Sequence, residues 1–370
     1  MSRSIVPEAI SRQPWRMLIP LFCLVSLGAA VLYSAAGGHL QPYALSHVIR
    51  FLLFLAMAVV ISRMSRNLFR VAAYPVYGAI VLLLVLVELI GAVGGGSQRW
   101  LNLGFMTLQP SELMKPAIVL VLARFYETLP APMTASWRGL VPAAVLIGIP
   151  AALVVLQPDL GTALAICFGG AVTMFLAGLP LAWFIGAGTV AVIAAPVAFF
   201  TLLHGYQRNR VLTFLDPESD PLGTGYHITQ SKIAIGSGGI FGKGFGNGTQ
   251  SHLQYLPEPH TDFVFATMAE EWGLLGGLFV LLVFGMLLSW GLNVARRAPD
   301  RFSNLLATGM TATIFFYVAI NLMMVMGLAP VVGIPLPFMS HGGTSMLTNM
   351  ICLGTIMAVN RWSQRPGGLR

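Results

Sequence analysis

Charge is what this 370-residue chain has least of: acidic and basic residues together make up 9% of it, against 56% apolar residues. A soluble domain carries about a quarter charged residues, so the composition excludes an ordinary soluble protein. Cysteine is scarce as well. Cys23, Cys167 and Cys352 all fall within apolar runs, which argues against a disulfide framework or a cysteine metal cluster and reads as small buried hydrophobes. Nucleotide-binding signatures are missing too. In the glycine-rich stretch Gly236–Gly248, Lys243 is followed by Gly244 rather than Ser or Thr, no strand precedes it, and the spacing of a dinucleotide fingerprint is absent. The net charge of +8 comes without a basic tract suited to nucleic acid.

What is present is a series of apolar runs, each of about 20 residues, long enough to cross a hydrocarbon core as helices. Backbone groups in lipid must be satisfied internally, which favours helices over isolated strands. Ten spans are expected, at about 17–36, 45–62, 72–93, 108–126, 139–157, 160–178, 181–203, 263–295, 303–327 and 342–361. The fold class is therefore an all-α polytopic membrane protein, a single integral membrane domain over 1–370. The run 263–295 exceeds one span, so its first turns are expected to project or tilt. The first run has span length and lacks a small-residue cleavage site near Gly37–Gly38, so no cleaved signal peptide is expected.

Charge then orients the spans. With a cytoplasmic N-terminus, 14 of the 21 basic residues lie inside, mostly in short loops, including Arg63, Arg66, Arg70, Arg296, Arg297 and Arg301. Both termini are then cytoplasmic, and residues 204–262 form a long external loop between spans seven and eight. A loop of that length is commonly functional. Recurring apolar residues such as Ile228, Ile233 and Phe241 predict short, partly re-entrant helices in it. The polar island Gly225–Gly273 holds two lysines, three histidines and four carboxylates. Two other segments on the same side, Gln98–Lys115 and Met326–Ser345, mix Gly, Pro and small polar residues. The three converge on one external cavity.

Asp262 follows Pro257-Glu258-Pro259-His260-Thr261 and precedes an apolar helix. There Thr261 or Asp262 can cap the helix; alternatively, a partly desolvated carboxylate at a cavity mouth can act as a general base. Glu258 is four residues earlier, but the intervening proline denies it an assured helical face with Asp262. The glycine-rich stretch can present amides to an anion or serve only tight packing. Lys232, Lys243, Arg208 and Arg210 can hold a phosphorylated group, although the arginine pair equally suits lipid head groups or the nearby Asp216, Glu218 and Asp220. A lone ammonium such as Lys232 in an apolar segment needs an anionic partner. Glu112 and Lys115 are spaced to pair along one helix, and Asp159, after Gln157-Pro158, is placed to cap the sixth span. For these three and for Glu88, structural pairing is the better-supported reading, although ionisable groups in membrane segments are functional candidates. His227, His252, His260 and His341 fit no metal signature. A divalent cation such as Mg2+ or Mn2+, held by carboxylates and diphosphate, stays open, and no organic cofactor is expected.

Several motifs occur in order along the chain: QRWLNLG at 98–104, QPSE at 109–112, QPDLGT at 157–162, HTDFVFA at 260–266, AEEWG at 269–273 and GIPLPFMSHGGTS at 333–345. In these the chain resembles the family of shape, elongation, division and sporulation proteins over almost its whole length. The run 216–239, with His227 and Lys232, is similar to the elongation branch rather than the division branch. His341 departs from the resemblance, standing where the family usually has tyrosine.

The resemblance implies a peptidoglycan glycosyltransferase of the bacterial cytoplasmic (inner) membrane, working on its outer side for lateral wall elongation and rod shape. Its substrate would be lipid II, polymerised to β-1,4-linked glycan with inversion at the donor anomeric carbon and release of undecaprenyl diphosphate. Asp262 falls on the family's essential aspartate. The implied partners are the nascent glycan, membrane lipids and a class B penicillin-binding protein, a transpeptidase; no nucleic acid is implied. The other function classes that suit many spans and intramembrane charge are a lipid II flippase or transporter and a noncatalytic scaffold of the elongation complex.

Overall fold

In the computed structural model the described residues are 14–364, apart from 91, 95–96, 103–106, 202–204, 206–207, 209–211, 215, 217–223, 254 and 257. Among them the apolar runs fold as ten helices of 17 residues or more. These are α1 (Trp15–Ala35), α2 (Ala44–Arg63), α3 (Arg66–Ile90), α4 (Pro110–Thr128), α6 (Trp137–Leu156), α7 (Leu160–Leu176), α8 (Leu181–Thr201), α11 (Val264–Arg296), α12 (Arg301–Val325) and α13 (Gly343–Ser363). Each takes up one of the ten expected spans. Six of them, α1, α2, α3, α6, α11 and α12, are long and apolar enough by themselves to cross a membrane. Of the other four, α7 is shorter, α8 is apolar over Leu181–Val197, and two are more polar: α4 buries Ser111, Glu112 and Lys115, and α13 buries Ser345, Thr348 and Asn349. Polar groups like these sit inside a helical bundle, out of contact with lipid.

The centre of the bundle is α4 and α12, both buried nearly all round. Around them α3 packs on α4, α11 on α12, α1 on α11, and α2 along α13. Close approach is set by small residues, as membrane helices require. At Gly354 of α13 a Cβ would come within 2.9 Å of the Ala58 backbone of α2.

Two features depart from a set of plain helices. The third span stops at Ile90, short of the expected 93, and the chain turns into a small antiparallel sheet of β1 (Ala92–Gly94), β2 (Ser97–Asn102) and β3 (Thr107–Leu108), in order β1-β2-β3. Gly94 pairs with Ser97, and Leu101 with Leu108. A meander satisfies its own backbone groups without needing the length of a helix.

The second departure is in α11, which is two helical segments joined across Gly273 (φ +66°, ψ −160°). A break of this kind strips backbone groups of their partners. The glycine-rich stretch restores them: Gly239 and Ile240 carbonyls accept from Leu274 N and Leu275 N (2.9 and 3.2 Å), and Lys243 N and Gly244 N donate to the Glu270 and Glu271 carbonyls (both 3.0 Å). The contact requires bare backbone, since a Cβ at Gly273 would fall 2.6 Å from the Ile240 carbonyl oxygen. Tight packing is thus what Gly238, Gly242 and Gly273 do, and α9 (Thr224–Ser237) and α10 (Thr249–His252) flank the stretch. The short α5 (Ala131–Thr134) lies at the opposite end.

That opposite end is tied by ion pairs. Arg66 and Arg70 both meet Asp300, Arg70 also meets Glu127, and Arg124 reaches Glu127 at 2.7 Å. Asp300 caps α12 through Ser303 N (2.8 Å).

Candidate active site

Asp262 occupies the turn that leads into α11. The N-cap of that helix is Phe263, so neither Thr261 nor Asp262 takes the capping position that the sequence allows. The carboxylate is half-buried. Its main chain is held by Asn321 of α12, whose Nδ2 donates to the carbonyls of Asp262 (2.9 Å) and Ile334 (2.7 Å). Asn321 has no exposed surface, so one buried amide fastens the Asp262 turn to segment 331–334. Across from the carboxylate is Gly333 (φ +68°), where a Cβ would lie 3.6 Å from Asp262 Oδ2. Glycine there provides both the left-handed backbone and clear space beside the acid.

One turn before Asn321 on α12, Tyr317 binds the two ionisable groups of α4. Lys115 Nζ donates to Glu112 Oε1 (2.5 Å) and to the Tyr317 hydroxyl (2.7 Å), and that hydroxyl donates to Glu112 Oε2. The ammonium also lies 4.3 Å from the Tyr317 ring centroid. Lys115 is fully buried, so the structure pairs Glu112 and Lys115 with each other beneath the Asp262 turn.

Asp159 caps α7, its Oδ1 accepting from Thr162 N and its Oδ2 from Gln109 Nε2 (both 3.1 Å). Arg99 braces the same turn through the Gln157 and Pro158 carbonyls (3.0 and 2.5 Å). The first turn of α7 backs onto segment 331–334, with a Gly161 Cβ placed 3.0 Å from the Val332 carbonyl oxygen. Asp262 and the first turn of α7, which Asp159 caps, therefore border one segment.

Of the expected anion-binding cations, Lys243 is engaged elsewhere: its Nζ is 2.6 Å from Glu270 Oε1. Glu270 also accepts from Thr249 N and Oγ1 (both 2.9 Å) and Gln250 N (3.1 Å). Lys243 thus staples the glycine-rich loop to α11. Arg208 turns back to donate to the Phe199 and Phe200 carbonyls (3.2 and 3.0 Å) at the end of α8. Arg210 lies outside the described residues. Lys232 is exposed on α9, its side chain covering Gly327 just past α12. Ser231 docks α9 there by donating to the Val325 carbonyl (2.7 Å), and His227 stacks on Phe263 at 6.3 Å. This sets α9 beside the Asp262 turn. Glu258, mostly exposed, accepts from Thr261 Oγ1 (3.1 Å) and lies 3.4 Å from His260 Nε2, shaping the turn from outside.

Arg50, and its pairing with His341, escape a sequence reading. Arg50 of α2 meets His341 with its Nη1 3.2 Å from Nε2. His341 in turn donates its backbone N–H to the His260 carbonyl (2.8 Å), two residues before Asp262. Tyr43 stacks on His260 at 4.0 Å and meets His341 edge-on at 5.3 Å. Burial lowers the pKa of His260, while Glu258 pulls it up. Burial, with the Arg50 charge and His260 adding to it, lowers that of His341 to about 4. At neutral pH His341 is a neutral ring.

Several known proteins share this architecture. A family profile described as cell cycle protein, FtsW/RodA/SpoVE, matches residues 14–365. The chain is 42% identical to the peptidoglycan glycosyltransferase MrdB of Escherichia coli K12 over 346 residues, covering 93% of this chain and 92% of that protein. It is 39% identical to the stage V sporulation protein E of Bacillus subtilis over 284 residues, 77% of each. Among solved structures, one from a study of how a peptidoglycan synthase complex coordinates polymerization and crosslinking superposes with a TM-score of 0.82 at 32% identity, covering 96% of this chain and 99% of the other. The rod shape determining protein RodA of Thermus thermophilus superposes with a TM-score of 0.71 at 29% identity, covering the same shares.

Proposed function

The chain belongs to the FtsW/RodA/SpoVE family of cell cycle proteins, and from that membership and the geometry around Asp262 we infer how it works. It is a multi-pass membrane protein and a peptidoglycan glycosyltransferase. The substrate of the proposal is lipid II, a disaccharide-pentapeptide on undecaprenyl diphosphate.

Asp262 is the general base. It takes the proton of the acceptor's GlcNAc 4-hydroxyl; that oxygen bonds to C1 of the donor's MurNAc as the C1–diphosphate bond breaks. Undecaprenyl diphosphate leaves from the opposite face, so the anomeric centre inverts. A hydroxyl is a poor nucleophile and gains from a positioned base. The observation that carries this assignment is the buried Asn321 clamp, which fixes the Asp262 backbone while Gly333 keeps space open beside the carboxylate.

The leaving diphosphate needs fixed positive charge. Lys115 and Lys243 are spent on Glu112 and Glu270. Arg50, tied to the Asp262 turn through His341, and Lys232, on the helix whose His227 stacks on Phe263, have no carboxylate within ion-pair distance among the described residues, and are the cations assigned here. Among the described residues no three of His, Cys, Asp and Glu gather to hold a metal. A Mg2+ or Mn2+ ion would fit only as one that takes most of its ligands from diphosphate and water, with Asp262 or Asp159 adding a carboxylate.

The active-site end faces the extracytoplasmic side of the inner membrane, with both termini in the cytoplasm, as the basic loops favour. A class B penicillin-binding protein crosslinks the strand. Polymerisation of labelled lipid II in detergent by the purified chain with that partner tests the reading, because micelles leave nothing to flip across. Long glycan is expected; its absence beside an active control enzyme would return the chain to transport or scaffolding.

A further inference from the structure

Arg50 is held in an unusual way. Its guanidinium lies flat over Gly343, with Cζ, Nε and Nη1 each 3.7 Å from the place a Cβ would occupy. Gly343 opens α13, so a permanent cation rests against the positive end of a helix. No carboxylate among the described residues lies within ion-pair distance of it, and its hydrogen-bond partner is the ring of His341. To accept from a guanidinium, Nε2 must carry a lone pair, which places the proton of the neutral ring on the buried Nδ1. Burial, Arg50 from α2 and His260 from the turn before α11 keep the ring neutral, with the Tyr43 backbone opposing them; the buried His47 of α2 also faces it, and Glu258 faces His260. The same residue grips the Asp262 turn through its backbone N–H on His260.

We propose that His341 is a positioning residue of the transfer site: its neutral ring aims the Arg50 guanidinium at the substrate diphosphate while its main chain fixes that guanidinium relative to Asp262. The proposal rests on the lipid-diphosphate reading above. It explains how this chain works with histidine at 341. The ring needs only an acceptor atom, and the backbone bond is indifferent to the side chain.

The test is binding of undecaprenyl diphosphate by the full chain in detergent, alongside KM and kcat for lipid II, in His341→Leu, His341→Gln, Arg50→Gln and the double variant Arg50→Gln/His341→Leu. Loss of a hydrogen bond to a charged group is worth about tenfold or more. His341→Leu is expected to weaken binding and raise KM by about tenfold, with a smaller change in kcat. His341→Gln, whose amide oxygen accepts, recovers most of that loss. In the Arg50→Gln background the leucine adds nothing, since the ring acts through Arg50. Unchanged binding in His341→Leu, or a full additional loss in the double variant, overturns the proposal. A purely structural role would instead lower the melting temperature and would not be rescued by glutamine. Binding needs no turnover, so a wild type that binds the lipid diphosphate normally but makes no polymer refutes the transferase reading and leaves the positioning claim to be judged on its own numbers.

Discussion

A carboxylate can serve as a base only if it is held still beside its substrate, and here the holding is done by Asn321. Replacing it with leucine strips the Asp262 and Ile334 carbonyls of their shared donor, at a cost of about 1–3 kcal/mol for each buried group left unsatisfied. Asn321→Leu is therefore expected to lower the melting temperature and to cut kcat by about tenfold or more, as misplacement of a base does. Titration gives a second prediction at this scale. The folded-state pKa of His341 is depressed from 6.5 to about 4, so between those values the unfolded chain binds more protons and stability falls as the pH drops. Melting in detergent is expected to decline from about pH 6.5 toward pH 4, and His341→Gln to flatten part of that slope. Asp262 was legible from sequence because a carboxylate preceding an apolar run in a nearly uncharged chain stands out. Arg50 was not, and His341 stood out only as a departure from the family's tyrosine, because their pairing joins positions 291 residues apart.

Among the elements, the apolar helices follow directly from runs of about 20 residues. The meander at 92–108 does not, since its strands are two to six residues long and offer too little alternation to read. The break in α11 was half visible. Residues 263–295 were too long for one span, yet nothing local shows that Gly239, Ile240, Lys243 and Gly244 would complete its backbone. Gly273→Ala sets a side chain at φ +66° against the Ile240 carbonyl. It is expected to cost at least about 1–3 kcal/mol in stability, read as a lower melting temperature. Lys243→Met leaves Glu270, which has no exposed surface, without its cation. Lys243 is partly exposed, so the loss should fall below the ~3–5 kcal/mol of a fully buried pair. Its effect should appear as faster proteolysis of the loop, with weaker effects on lipid diphosphate binding than Arg50→Gln.

For the molecule as a whole, one end is tied by the Arg66, Arg70, Asp300 and Glu127 ion pairs, while the other assembles the Asp262 turn, segment 331–334 and α9. With the basic end in the cytoplasm, cysteine at the exposed Gly246 should react with a membrane-impermeant maleimide added to spheroplasts, and cysteine at Gln364 only after lysis. The reverse pattern would invert the orientation. The central claim is that this molecule forms glycosidic bonds with Asp262 as the base. The most direct measurement compares wild type and Asp262→Asn, each purified with the transpeptidase partner, for conversion of labelled lipid II to glycan. Long glycan is expected from wild type, with a loss of at least about a hundredfold, the lower range for general base catalysis, in a variant that melts normally and still binds its partner. Equal polymerisation by the two proteins would contradict it.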